Sequence, residues 1–494
     1  MTTIDHLALL PAYCAAGTAV LAFLVDLLLP RRWMPVLLVS LPGAAGTAVA
    51  CWYAYRGEAR STFCTEVGAC SYNWGSLAVL VGAAVCVATF VVLALSVPVL
   101  RARAVPAGEY CFLLACSMTG GVVLGASGDL ITLIIALETL TLPLYVLVGL
   151  RRRTVASAEA AVTFFIVSVV STAVTLLGAA LLYGAAGSVH LVTLRAILTE
   201  RGELRSLPLV AAAVVLVLVG LAFKMAAVPF HAWAPATYDG APLPVAAYLS
   251  TASKLGGVVA LLLVAVAALQ PWLDVAGPAL AVLAVLTMTV GNLVALRQRR
   301  MVRLLAWSSV AQAGYILAPL GAFAISEGRT QDAVVVAVTA TIAYTTFYVV
   351  LELGAFAAVI ALRGSDDGGE LSDYRGAARR RPWVATAFVI ALAGLAGLPP
   401  GLAGLFAKVA VVRSLLDGAS GWLAVVVALN AVVGLAYYIR AAAALFQPSP
   451  SGAGAGSARP SWAVGTIVAA LTIAGLVIGF APQLVLDVAT YAAQ

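Results

Sequence analysis

The stretch Leu221-Ala-Phe-Lys224-Met-Ala-Ala-Val-Pro229-Phe-His231-Ala-Trp233 sets a lysine and a proline inside an apolar segment. Proline lacks a backbone donor and clashes with the preceding turn, so a helix running through Lys224 is expected to break just after it. A second stretch is interrupted more strongly: Gly394-Leu-Ala-Gly-Leu-Pro399-Pro400-Gly401-Leu-Ala-Gly404-Leu-Phe-Ala-Lys408 holds two prolines, several glycines and again a lysine. Irregular backbone at membrane depth is tolerated only where protein buries it or where it lines a wet cavity. Lys224, Lys254 and Lys408 are the only lysines in 494 residues, and all three lie in apolar segments. The remaining cations are arginines, almost wholly in polar connections. Compositional bias explains the scarcity of lysine but not its placement. A charge at the centre of a membrane helix costs about 2.5–3.5 kcal/mol, and lysine is the cation that most readily gives up its proton on burial. Three such groups in one bundle point to a proton path.

The chain is 63% hydrophobic and 10% charged, against roughly 25% charged in soluble domains, so it reads as an all-α polytopic membrane protein in contact with lipid. Runs of about 20 apolar residues give about fourteen spans: 7–29, 34–55, 76–100, 109–127, 129–150, 158–184, 207–228, 242–268, 274–296, 303–325, 333–362, 383–417, 421–446 and 461–486. The first is long enough to cross and is followed by Arg31-Arg32, so no cleavable signal peptide is expected. Arginines fall on alternate connections: Arg31/Arg32, Arg101/Arg103, Arg151–Arg153, Arg297/Arg299/Arg300/Arg303, Arg363/Arg375/Arg379–Arg381 and Arg440/Arg459. The opposite connections hold only Arg56, Arg60, Arg195, Arg201, Arg205 and Arg329, and Arg413 lies within a span. The positive-inside rule puts the first set in the cytoplasm and both termini outside. Despite a net charge of +7, arginines confined to loop ends form no nucleic-acid footprint. Spans 7 and 12 then run in opposed directions, and paired broken helices of that kind mark inverted-repeat transporters.

Glu138 lies nine residues into the fifth span, where an acid must be protonated or paired, and Lys224 is its expected partner. Ser250, Thr251 and Ser253 precede Lys254 and are expected to hold water beside its ammonium. His231, after the Pro229 break, titrates near neutral pH and is a possible relay member. Glu352, deep in the eleventh span near Tyr344 and Tyr348, is an intramembrane acid without an evident partner: a relay acid or an interfacial one. Asp129 opens the fifth span as an N-cap. Cys64 and Cys70 share a predicted outer loop where a disulfide is permitted. The other five cysteines read as packing residues, and no spacing resembles a metal or haem site.

The run Val228-Pro-Phe-His-Ala-Trp-Ala-Pro-Ala-Thr-Tyr-Asp-Gly-Ala-Pro-Leu-Pro-Val245, followed by Ser253-Lys254, resembles the antiporter-like membrane subunits of respiratory complex I. Within that group it is similar to the N subunits of bacterial NADH:quinone oxidoreductase, since the L, M and Mrp-type relatives tend to differ after the Trp-x-Pro. Leu137-Glu138-Thr-Leu, Asp373-Tyr374-Arg-Gly and Gly397-Leu-Pro-Pro through Lys408 agree. The resemblance implies two inverted five-helix repeats, 106–270 (spans 4–8) and 271–446 (spans 9–13), after a three-helix segment 1–105 and before a loop and last span, 447–494. It implies that Glu138 and Lys224 form the proton-channel pair, that Lys254 is the central relay lysine, and that Lys408 serves the outward half-channel. It further implies a bacterial cytoplasmic-membrane location and partnership with other membrane-arm subunits, including antiporter-like paralogues. No cofactor is expected in this chain, with NADH, FMN, iron–sulfur clusters and quinone handled by partner subunits. The alternative is a subunit of a Mrp-type cation/proton antiporter. Ala236 stands where the family commonly has an acid, Glu352 where it is usually neutral or polar, and Ala407 replaces a common glycine.

Overall fold

The computed structural model describes residues 4–65, 68–151, 154–448 and 461–493; Arg152, Arg153 and Arg459, counted above among the topology arginines, lie outside them. The membrane helices are α1 (Leu10–Leu28), α2 (Trp33–Tyr55), α3 (Ser76–Leu95), α4 (Ala107–Leu124), α5 (Leu130–Gly149), α6 (Val155–Ala186) and α7 (Pro208–Lys224). They continue with α8 (Leu243–Ala268), α9 (Gln270–Ala295), α10 (Met301–Gly321) and α11 (Gln331–Arg363). Last come α12 in two halves, α12a (Pro382–Ala396) and α12b (Leu402–Asp417), then α13 (Gly421–Phe446) and α14 (Trp462–Phe480). Eleven of these are long and apolar enough to cross a membrane unaided. The other three expected spans are the two broken ones, α7 and α12, and α10, which carries buried Ser308, Ser309 and Gln312.

Burial divides the bundle into layers. The most apolar window of α8 is 78% buried and that of α1 only 28%. Lipid-facing aliphatic side chains such as Leu27, Val49, Ile135 and Leu429 stay exposed on the outer helices, as expected where the surrounding solvent is hydrocarbon. Helix α11 packs against both halves of α12 and against α14, while α9 and α10 form the most extensive helix pair among the described residues. Small residues set these distances. A Cβ on Gly178 or Gly220 would meet the facing helix of the α6–α7 pair at 2.7 and 2.2 Å, the close approach that glycine makes possible between membrane helices.

The helix ends follow local rules. Asp129 accepts from the Thr132 backbone N–H at 2.7 Å and caps α5 as expected. Between α2 and α3 a hairpin pairs β1 (Arg60–Cys64) with β2 (Cys70–Trp74), and Cys64 and Cys70 face each other in its register and are disulfide-bonded. Short helices also form at Leu191–Glu200, Trp233–Gly240 and Gln483–Ala493.

On the arginine-rich face Arg300 holds three segments together. Its Nε donates to both Asp239 carboxylate oxygens, at 3.0 and 2.8 Å, and its Nη2 donates to Asp367 at 3.0 Å. Arg363 adds a bond to Asp367 at 3.3 Å. The clasp borders a cleft of about 770 Å³ that Arg151, Glu159 and Arg303 also line. Partial burial pushes the Asp367 carboxyl up, but hydrogen bonds and charge from Arg300 and Arg363 outweigh that and hold it below the usual carboxylate range.

Two outcomes follow. Cys64 and Cys70 should resist a membrane-impermeant thiol reagent until a reductant is added, then react from the face opposite the arginine-rich connections; labelling without reduction counts against the bridge. Because a depressed carboxylate stabilises the fold above its pKa and loses that contribution as pH falls through it, the clasp should loosen on acidification. Arg300→Ala should loosen it at neutral pH, read as faster amide hydrogen exchange over residues 363–374.

Candidate functional site

Helix α7 ends at Lys224 itself. The chain then turns through Ala226, whose φ of 59° is left-handed, and a cis Val228–Pro229 peptide. The freed backbone is satisfied from outside the helix: the Val228 N–H donates to the Thr287 hydroxyl on α9 at 3.0 Å, as a broken membrane helix requires. The Lys224 ammonium projects toward α5 and α6. It donates to Glu138 Oε1 at 2.8 Å, Ser168 Oγ at 2.9 Å and Thr141 Oγ1 at 3.2 Å. All three ammonium protons therefore have acceptors. Glu138 also accepts from the Thr172 hydroxyl at 2.6 Å, and Tyr145 hydrogen-bonds Ser168. The lysine side chain is 4% exposed and the glutamate 21%, so the pair is shielded on its cationic side. The expected partnership is present.

Lys254 lies in a different setting from the one its sequence neighbours announce. Ser250 and Thr251 turn their hydroxyls back onto the Ala247 carbonyl, at 2.9 and 2.6 Å. Serine and threonine in helices commonly bond back in this way, and the segment Leu249–Ser253 is a π-helical turn, a distortion frequent at functional sites. The Lys254 ammonium instead reaches α10, where it bonds the carbonyl and hydroxyl of Ser309. Its Nζ also lies 5.4 Å from the centre of the Tyr348 ring. The Tyr348 hydroxyl bonds Ser309 Oγ at 2.7 Å and donates to the Ser250 carbonyl at 2.8 Å.

Lys408 sits in the second half of the other broken helix. Helix α12a ends at Ala396 and is capped by Gly397, whose φ of 81° favours glycine, and a cis Pro399–Pro400 peptide precedes α12b. The Lys408 ammonium returns across the break to the Leu395 and Ala396 carbonyls. It thus caps the negative end of the half-helix whose carbonyls the break leaves free. Tyr315 lies beneath it, ring centre 5.7 Å away. The backbones of the break pack tightly, and a Cβ on Gly404 would fall 1.6 Å from the Gly394 carbonyl oxygen.

One helix joins the second and third lysines. On α10, Gln312 donates to the Leu395 carbonyl that Lys408 also uses, at 3.2 Å, and to the Tyr438 hydroxyl at 3.0 Å. Tyr438 bonds Ser308, the chain neighbour of the Ser309 that holds Lys254. Tyr344 donates to Gln312 at 2.6 Å. Ser308, Ser309 and Gln312 were not singled out by the sequence reading, although three buried polar groups in an apolar segment were a signal available to it. Lys224 and Lys254 approach through backbone rather than side chains: a Cβ on Gly257 would lie 3.0 Å from the Lys224 carbonyl carbon. His231 joins none of these clusters. It is half-buried against the Trp307 ring, centroids 5.1 Å apart, and its Nδ1 has no partner among the described residues. Glu352 is fully buried near the Lys254 cluster, and neither of its carboxylate oxygens is hydrogen-bonded.

Residues 127–434 match the family described as NADH:quinone oxidoreductase/Mrp antiporter, TM. NADH-quinone oxidoreductase subunit N of Salinispora tropica is 62% identical, with 99% of each chain covered. This chain belongs to the subunit N branch of that family. Among solved structures, a chain of respiratory complex I from Thermus thermophilus superposes with a TM-score of 0.78 at 29% identity, covering 97% of this chain and 98% of the other. A chain of the Mrp complex from Dietzia sp. DQ12-45-1b superposes with a TM-score of 0.81 at 21% identity, covering 99% and 97%. At that identity the Mrp likeness speaks for a shared fold alone.

Gly404→Ala should force the α12 break apart and destabilise the protein by about 1–3 kcal/mol, the usual range for overpacking. A lowered thermal midpoint of the detergent-solubilised protein is the readout, and an unchanged midpoint would contradict the contact.

Proposed function

We propose that this membrane-arm subunit translocates protons through a relay running from Glu138–Lys224 to Lys254 and on to Lys408, coupled to quinone reduction in partner subunits. The observation that carries the reading is the Lys224–Glu138 pair. The lysine is almost wholly withdrawn from solvent, and the glutamate is the only anion its ammonium touches among the described residues. Breaking a buried pair costs about 3–5 kcal/mol because it strands a charge, whereas moving one charge against 100 mV costs about 2.3 kcal/mol. A modest displacement of Glu138, transmitted through the membrane arm, is therefore large enough to expel the Lys224 proton. Lys254 takes it against Ser309 and Tyr348. The polar face of α10 passes it toward Lys408, which releases it on the side opposite the arginine-rich connections.

In this reading both termini are outside, and His231 stands on the cytoplasmic, uptake side of the α7 break. The inverted repeats are 106–270 and 271–446, each contributing one broken helix. NADH, FMN, iron–sulfur clusters and quinone belong to other subunits, and this chain contributes only charge movement. The likeness to a Mrp chain gives the antiporter reading the same fold, but 62% identity along the whole chain to a subunit N favours the respiratory one.

In the complete enzyme reconstituted into vesicles, Lys224→Ala should reduce NADH-driven proton pumping. Pumping equal to wild type would end the relay role of Lys224.

A further inference from the structure

Helix α11 carries a buried polar stripe, Thr341, Tyr344, Thr345, Tyr348 and Glu352, at helical spacing along one face. Every member but the last is hydrogen-bonded: Thr341 and Thr345 to carbonyls, Tyr344 to Gln312, Tyr348 to Ser309 and Ser250. Glu352 is 0% exposed and both its oxygens are unpartnered. Tyr348 lies one turn earlier on the same helix, and the charge of Glu352 also acts on Tyr238, on the helix after the α7 break, and on Tyr438 of α13. The Tyr238 hydroxyl also lacks a formed hydrogen bond. Among the described residues, Lys254 is the cation that acts on Glu352. Of the other elements packed on α11, helices α12a and α14 carry no ionisable side chain, and Lys408 on α12b is turned to the α12a carbonyls. On α10 Arg303 lines the cytoplasmic cleft, and Asp487 after α14 is exposed.

A carboxylate enclosed in this way, with no donor, is an uncompensated charge unless a cation faces it. Static ion pairing does not describe it, because the Lys254 ammonium is bonded to Ser309 and not to Glu352. An interfacial acid is excluded by its complete burial.

We propose that Glu352 is a proton-holding group of the central cluster that loads Lys254. When Lys254 has passed its proton on, Glu352 has no cation opposite it and holds the next proton as a neutral carboxylic acid. For the transfer the Tyr348 hydroxyl turns from the Ser250 carbonyl to Ser309 and accepts from the carboxyl. The carboxyl proton then passes to Tyr348, the Tyr348 proton to Ser309 and the Ser309 proton to the amine. The Glu352 O–H bond breaks, an N–H bond forms on Lys254, and the bonding pair stays on the carboxylate, which now faces an ammonium. No net charge is created in the cluster by that step. Release of the ammonium proton toward Lys408 then leaves a bare carboxylate beside a neutral amine, and the cost of that state draws the next proton onto Glu352.

This inference rests on the relay reading above, and the test separates the two. Infrared difference spectra of the complete enzyme in vesicles, oxidised against NADH-reduced, are expected to contain the carbonyl stretch of a protonated carboxylic acid. That band should be lost in Glu352→Gln, persist at a shifted position in Glu352→Asp, and cease to respond to turnover in Tyr348→Phe. Protons pumped per NADH should fall in Glu352→Gln and recover in Glu352→Asp. An unchanged band and an unchanged pumping ratio in Glu352→Gln overturn the proposal. If pumping is then also unchanged in Lys224→Ala the whole relay fails, whereas pumping lost only in Lys224→Ala removes Glu352 alone. Should Glu352→Gln fail to assemble, Tyr348→Phe decides by itself: a band that still responds to turnover overturns the loading route.

Discussion

A buried ammonium group must have acceptors for its protons, and the rest of this structure is arranged around meeting that demand three times. Hydrocarbon offers nothing to a lysine, so each of the three recruits a different kind of oxygen. Lys224 has a carboxylate and two hydroxyls, Lys254 a serine with both its carbonyl and hydroxyl, and Lys408 the open end of a half-helix. The groups directly bonded to each ammonium differ in charge: an anion for the first, neutral dipoles for the other two. In the proposed relay a proton would be held by a bonded anion at one end and by bonded dipoles farther on, a gradient of environments rather than a row of equal sites.

Helix breaks and lysines are two aspects of one solution. A broken helix leaves carbonyls without intrahelical partners, which in a membrane is costly unless something donates to them. At α12 the lysine is that donor. At α7 the lysine ends the helix and looks away from the break, while Thr287 satisfies the freed backbone. The two breaks thus share an outline but not a chemistry. That difference accords with the proposed relay, in which they stand at opposite ends. Glycine packing favours both, since a Cβ on Gly404 would collide with the Gly394 carbonyl and one on Gly257 would crowd the Lys224 backbone.

Much of the bundle was legible in the sequence. Span positions, the break after Lys224, the stronger break before Lys408, the Asp129 cap and the Glu138–Lys224 partnership all follow from hydrophobic runs, proline chemistry and the penalty for an unpaired intramembrane charge. The surroundings of Lys254 did not follow. Ser250 and Thr251 are its neighbours in sequence, but their hydroxyls turn to a carbonyl one helical turn back, an outcome that depends on the π-helical geometry of that segment. The group that holds Lys254, Ser309, is 55 residues away.

The sequence alone therefore determined which residues carry charge into the membrane and where the backbone cannot remain helical, because both depend on one residue's chemistry in hydrocarbon. Only the tertiary structure decided which oxygens face each ammonium, that α10 is the polar bridge between Lys254 and Lys408, and that Glu352 is sealed without a hydrogen bond. Those outcomes depend on how helices distant in sequence rotate against one another, and hydrophobic periodicity leaves that rotation open when a helix is apolar on every face.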